Sequence, residues 1–189
     1  MKMETTRTQY KLAEAEFFLK HLEEHWRHVP HVDFYLSACI SAARSVTWVM
    51  NAEFGKVPGW QQWYDGKKPS KKIRELLEQI NDVRVRLTKT HPVKTATFAN
   101  IHIRQEDITP EVLNYLNSGH SESMRLEPID QSNTVFNLMV GGRVLTKAFL
   151  KKAEHKMSEF QGRDSKDVCK EYIDELKGLV DECLQKFNR

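Results

Sequence analysis

Two arginines and a histidine close one amphipathic segment of this chain, Asn81-Asp82-Val83-Arg84-Val85-Arg86-Leu87-Thr88-Lys89-Thr90-His91-Pro92. A guanidinium is a permanent cation whose planar fork grips phosphate oxygens, and an imidazole is a base near neutrality. Phosphodiester chemistry uses both: cleavage of RNA through its 2′-hydroxyl takes a base, an acid and a cation at the phosphate. Proline disfavours the helical conformation of the residue before it, so His91 is expected at or just past a helix end. Arg84 and His91 are close to two helical turns apart and share a face with Ile80, Val83 and Leu87. Arg86 projects roughly 140° from His91, toward a flank. An arginine in an apolar seam needs a partner or a function, which ranks Arg84 above Arg86 as the companion of His91. The rise from Arg84 to His91 is roughly 10 Å, too long for one copy to hold a single phosphate between both side chains. A two-fold dimer would bring two histidines together and supply base and acid at once. The same cations, with Lys89, also complement the negative end of a helix dipole, worth about 0.3–1 kcal/mol without any chemistry.

Other residue patterns bear on this reading. Ser37, Ser41, Arg44, Ser45 and Trp48 recur along one side of an otherwise apolar segment. They fit an active cleft or a dimer seam, and equally a close helix crossing with Arg44 reaching a carboxylate such as Asp82. Lys67, Lys68, Lys71, Lys72 and Arg74 cluster where a helix begins, against its dipole. They offer RNA an electrostatic approach, or they are a solvated surface. His21, His25 and His28 are spaced like metal ligands, with His31 nearby, but no acidic or cysteine ligand is placed beside them by spacing, so they read as a solvated helix face. Trp60, Trp63 and Tyr64 beside Pro58-Gly59 read as a core plug more than as base-stacking rings.

The elements that position these groups are mostly helices. Helical spacing runs over 5–29, over 33–54 with Asp33 as N-cap, over 70–89, and over 165–187. The second of these is apolar around most of its circumference and belongs in the middle of a bundle. Between them Ala99, Ile101 and Ile103 alternate with Asn100, His102 and Arg104, the period of a strand. A short helix is expected over 110–116 and strands over 123–128 and 134–140, ending at Gly141-Gly142. Leu145, Phe149, Ala153, Met157 and Phe160 then restore helical spacing. The expected architecture is a mainly α helical bundle, one domain over 1–189, with a small antiparallel β insertion or cap at 95–143.

On the Arg84/Arg86-to-His91 spacing, on Phe34-Tyr35-Leu36-Ser37-Ala38-Cys39-Ile40-Ser41-Ala42-Ala43-Arg44-Ser45-Val46 and on Trp60 to Tyr64, the chain resembles the bacterial branch of the HEPN superfamily. Asp167-Val168-Cys169-Lys170-Glu171-Tyr172 is similar more weakly. The chain departs from the family where many members carry a small polar residue after the arginine, for it has Val85 or Leu87 there. The resemblance implies a paired helical bundle and a metal-independent endoribonuclease with a composite site. Arg84, His91 and Arg86 would be catalytic, with Arg44, Lys71 and Lys72 on the substrate. The competing reading is a non-catalytic binding or regulatory module of the antitoxin or immunity kind.

The totals fit such a protein without demanding it. A net charge of +3 over 189 residues is too small to argue for nucleic acid by itself. Cys39, Cys169 and Cys183 are odd in number and lack CxxC spacing, which favours buried reduced thiols in the cytoplasm over a disulfide framework or zinc ribbon. Neither a secretory leader nor a membrane span is visible, and no cofactor or metal is expected. The expected partners are RNA, a second copy of the chain, and a neutralising protein if the enzyme is a toxin.

Overall fold

The computed structural model describes residues 5–28, 31–67, 71–89, 95–118, 124–129 and 131–187, with the side chains of 71–73 and 87–89 left aside. His91, Pro92, Lys68 and Val29 lie outside the described residues. The chain divides into two compact units, one of residues 1–96 and 155–189, the other of 97–154.

In the first unit α1 spans Arg7–Glu24, α2 His31–Phe54, α3 Trp60–Gly66, α4 Lys71–Lys89 and α6 Ser165–Phe187. The start of α1 shows why it begins where it does. A helix leaves its first N–H groups without intrahelical partners. Here Thr6 Oγ1 accepts from Gln9 N at 3.1 Å, and Gln9 Oε1 accepts from Thr6 N at 2.9 Å. The Glu53 carboxylate, from the end of α2, accepts the N–H groups of Arg7 and Thr8 at 3.0 and 2.8 Å and the Thr8 hydroxyl at 2.7 Å. Burial pushes the Glu53 carboxyl upward, but the Thr8 and Arg7 hydrogen bonds outweigh it and hold the group below its ordinary range.

Helix α2 runs through the middle, as its composition predicts. Val32, Leu36, Cys39, Ile40, Ala43, Val46 and Met50 are buried, and α1, α4 and α6 pack around it. Asp33 is not its N-cap: the helix already begins at His31, and Asp33 Oδ1 accepts instead from Thr95, from the hydroxyl at 2.9 Å and the N–H at 3.2 Å. Helix α4 lays Leu76, Ile80 and Val83 into the core. The aromatic segment is a plug. Trp60 is fully buried, stacked between Phe54 and Tyr64 and met edge-on by Phe187, while its Nε1 donates to Asn51 Oδ1 at 3.0 Å.

The second unit corrects the expected fold class. The protein is mixed α and β, not a mainly helical bundle, because a four-stranded antiparallel sheet occupies it in the order β1-β4-β3-β2. The strands are β1 Ala96–His102, β2 Met124–Pro128, β3 Val135–Val140 and β4 Arg143–Lys156, and α5, Pro110–Asn117, lies between the first two. Helical spacing was expected from Leu145 onward; the chain instead forms the longest strand of the sheet. Residues four apart share a face in both periods, so Leu145, Phe149 and Ala153 fit either one. The deciding residues are Gly141 and Gly142, with φ of 56° and 79°. They close a two-residue hairpin that pairs Val140 with Arg143, a turn that needs left-handed backbone at both central positions. Thr146 and Ala148 then face inward, and the Thr146 hydroxyl donates to the Asp107 carbonyl at 2.9 Å.

Candidate functional site

Helix α4 carries both motif arginines and directs them differently. Val83 anchors that turn of the helix in the core. One residue further, Arg84 sits at the edge of the apolar stripe with its guanidinium carbon 4.6 Å from the centre of the Trp48 ring on α2. Trp48 is 58% exposed, so the stack is at the surface rather than within the seam. Arg86 reaches the other way. Its Nη2 is 2.7 Å from Glu159 Oε1, on the 3₁₀ turn Ser158–Phe160, and that carboxylate is only 18% exposed. Arg86 therefore fastens α4 to the segment that leads into α6.

Arg44 lies one turn before Trp48 on α2, on the side of the Arg84 stack. Its Nε is buried and makes no hydrogen bond among the described residues, and its guanidinium lies beside the Tyr172 hydroxyl on α6. Burial pushes the Tyr172 phenol above its ordinary range, and the Arg44 guanidinium beside it pulls the other way. Arg44 makes no ion pair with Asp82 among the described residues. Beyond Trp48 the surface opens into a hollow of about 400 Å³ lined by Thr47, Trp48, Asn51, Gln61, Tyr64 and Asp65. Asn51 and Gln61 are themselves engaged, with Trp60 and Asp65 respectively.

The grouping of Arg84, Trp48 and Arg44 combines two cations with an exposed π-face. Such a surface can hold phosphate oxygens and stack a base. It offers no proton-transfer group matched to neutral pH, since no histidine lines the hollow among the described residues. That role in the sequence reading falls to His91, which lies outside the described residues. Lys71 and Lys72 form the first turn of α4, and their side chains also lie outside them. Lys67, from the same basic cluster, is paired with Glu182 and sits 5.5 Å over the Trp63 ring, so it serves the fold.

Sequence reasoning passed over Glu159, whose pairing with Arg86 joins residues distant in sequence. It also passed over a buried polar chain: His155, 1% exposed, has Nε2 2.7 Å from the Trp26 carbonyl and Nδ1 3.4 Å from the Thr95 hydroxyl. Burial pushes the His155 imidazole below its ordinary range, against the pull of the Trp26 carbonyl, Asp164 and Asp33. The Thr95 hydroxyl donates to Asp33, so the acid stands behind the hydroxyl, not behind the histidine as an activated nucleophile requires. This group holds the fold together.

Cys39, Cys169 and Cys183 are buried free thiols. No helix among the described residues is long and apolar enough to cross a membrane. Comparison with family models, with curated proteins and with solved structures returned no match.

Proposed function

We propose that this protein is a metal-independent endoribonuclease of the HEPN kind, working as a homodimer in the cytoplasm. The observation that carries the reading is the stack of Arg84 on Trp48, which holds the motif arginine at an exposed aromatic surface instead of in the core. Arg44, with its buried and unbonded Nε, supplies a second cation on the same side. The Arg44 guanidinium, held beside the Tyr172 hydroxyl, adds positive potential to this surface and favours an anion such as a phosphate.

The chemistry and the outer face of α2 both support a dimer. Phe34, Ser41 and Trp48 recur every seventh residue, and the two rings are 62% and 58% exposed with small residues between them. A face of that shape suits pairing with its own copy across a two-fold axis. In the composite site one His91 takes the proton of the 2′-hydroxyl as its oxygen attacks phosphorus. The partner's His91, protonated, gives its proton to the departing 5′-oxygen. The products are a 2′,3′-cyclic phosphate and a 5′-hydroxyl. Arg84 and Arg44 hold the non-bridging oxygens, and Arg86 positions α4 through Glu159. Three buried free thiols suit the reducing cytoplasm.

The test is cleavage of single-stranded RNA in the presence of chelator by the wild type and by His91→Ala. Cleavage should be lost in the variant while the dimer persists by light scattering. Cleavage that survives His91→Ala overturns the mechanism. RNA binding without cleavage in the wild type would leave a binding module.

A further inference from the structure

We propose that the corner between α1 and α2 is a binding site for a zinc-type divalent ion, built from His21, Glu24 and His25. Their ligand atoms all lie within 4.8 Å of one another, the one such cluster of histidine, cysteine and carboxylate groups among the described residues. His21 Nδ1 is 3.1 Å from Glu24 Oε2. Two ligands on a tetrahedral ion with bonds of about 2.1 Å stand about 3.4 Å apart, so this pair is already at ligand spacing. His25 is the better-prepared ligand. Its Nδ1 is 2.9 Å from the His21 carbonyl, and because a carbonyl only accepts, Nδ1 carries the proton and Nε2 keeps its lone pair for a metal.

The surroundings extend the site. The His25 ring is 6.0 Å from the rings of both His28 and His31, so four imidazoles meet where the chain turns from α1 into α2. Tyr35 walls the cluster, stacked on His21 at 5.4 Å and tilted against His25 at 4.8 Å. Helical spacing aligns His21 with His25, the rings of His28 and His31 stand further out, and a water completes four-coordination. Two imidazoles and one carboxylate are the donor set of zinc and its first-row neighbours, not of calcium or magnesium, which take oxygen ligands. An ion here would clamp the last turn of α1 to its C-cap at His25. It plays no part in the Arg84 site, and cleavage in chelator tests that site separately.

The experiment uses the full chain, stripped with chelator, titrated with Co²⁺ and then with Zn²⁺. One Co²⁺ per chain should bind with the visible absorption of a four- or five-coordinate nitrogen–oxygen site, be displaced by Zn²⁺, and raise the Tm. Glu24→Gln touches a side chain that is 46% exposed and should leave the circular dichroism unchanged while weakening Zn²⁺ binding about 10-fold or more. His25→Gln should do the same, whereas His102→Gln, in the sheet unit, should not. Failure to take up one ion, thiolate charge-transfer absorption, or unchanged affinity in the His21→Gln/His25→Gln double variant overturns the site.

Discussion

Arg84→Ala and Arg86→Ala should fail in opposite ways. The Arg84 stack covers a ring that is 58% exposed, and a cation–π contact of that kind contributes about 0.5–1 kcal/mol. Its loss should lower the Tm by about 1–4 °C. If Arg84 holds a phosphate oxygen, removing it also takes away a charge-assisted hydrogen bond of about 1.5–3 kcal/mol, which is about 10- to 150-fold in cleavage rate. Arg86→Ala instead strands Glu159, whose side chain is 18% exposed, without its 2.7 Å partner. That should cost about 1–3 kcal/mol of stability and about 2–12 °C in Tm, with cleavage per folded dimer within about threefold of wild type. The assay is a fluorogenic single-stranded RNA in chelator, run beside thermal melts at the same buffer and protein concentration. Full activity in a folded Arg84→Ala dimer would refute the reasoning, and so would an inactive Arg86→Ala protein with an unchanged melt.

Three further outcomes can be measured. Glu53→Gln should lower stability by about 1–3 kcal/mol at pH 7. The native carboxyl is held below its ordinary 4.5, so its contribution is present above that pH and is lost as pH falls through the native value, and urea melts should show the variant and wild type converging there. The buried His155 has the same sign for a different reason: the fold keeps it neutral, so wild-type stability should fall as pH drops below its ordinary 6.5, and His155→Gln should flatten that slope in melts between pH 7.5 and 5.5. Gly142→Val forces a β-branched side chain to φ of 79°, which should cost about 1–3 kcal/mol and speed hydrogen exchange of the β3 and β4 amides. Unchanged exchange there would argue against the hairpin.

How far the sequence could be read depended on whether a pattern had one structural meaning. The apolar circumference of α2 has one, a central helix, and residues 31–54 form it. The alternation around Ile101 has one, and residues 96–102 form a strand. Leu145, Phe149 and Ala153 have two meanings, and the fold class turned on the glycine pair before them. The site divides in the same way. Arg84, Arg86, Arg44 and Trp48 are conspicuous by type and spacing, but helical geometry alone put Arg84 in the seam and left Arg86 on a flank without a partner.

The sequence by itself determined which residues have useful chemistry and which helices carry them, because side-chain type and local periodicity are written within a few turns of chain. Tertiary structure decided what each side chain faces. Only packing brings Trp48 under Arg84, Glu159 to Arg86, and Tyr172 beside Arg44, since each partner comes from a distant segment whose approach depends on the whole core. The histidines at the α1–α2 corner lie between these cases. Their spacing was visible, but the carboxylate of Glu24 was passed over as a ligand, and its 3.1 Å approach to His21 and the gathering of three imidazoles around His25 are properties of the folded chain.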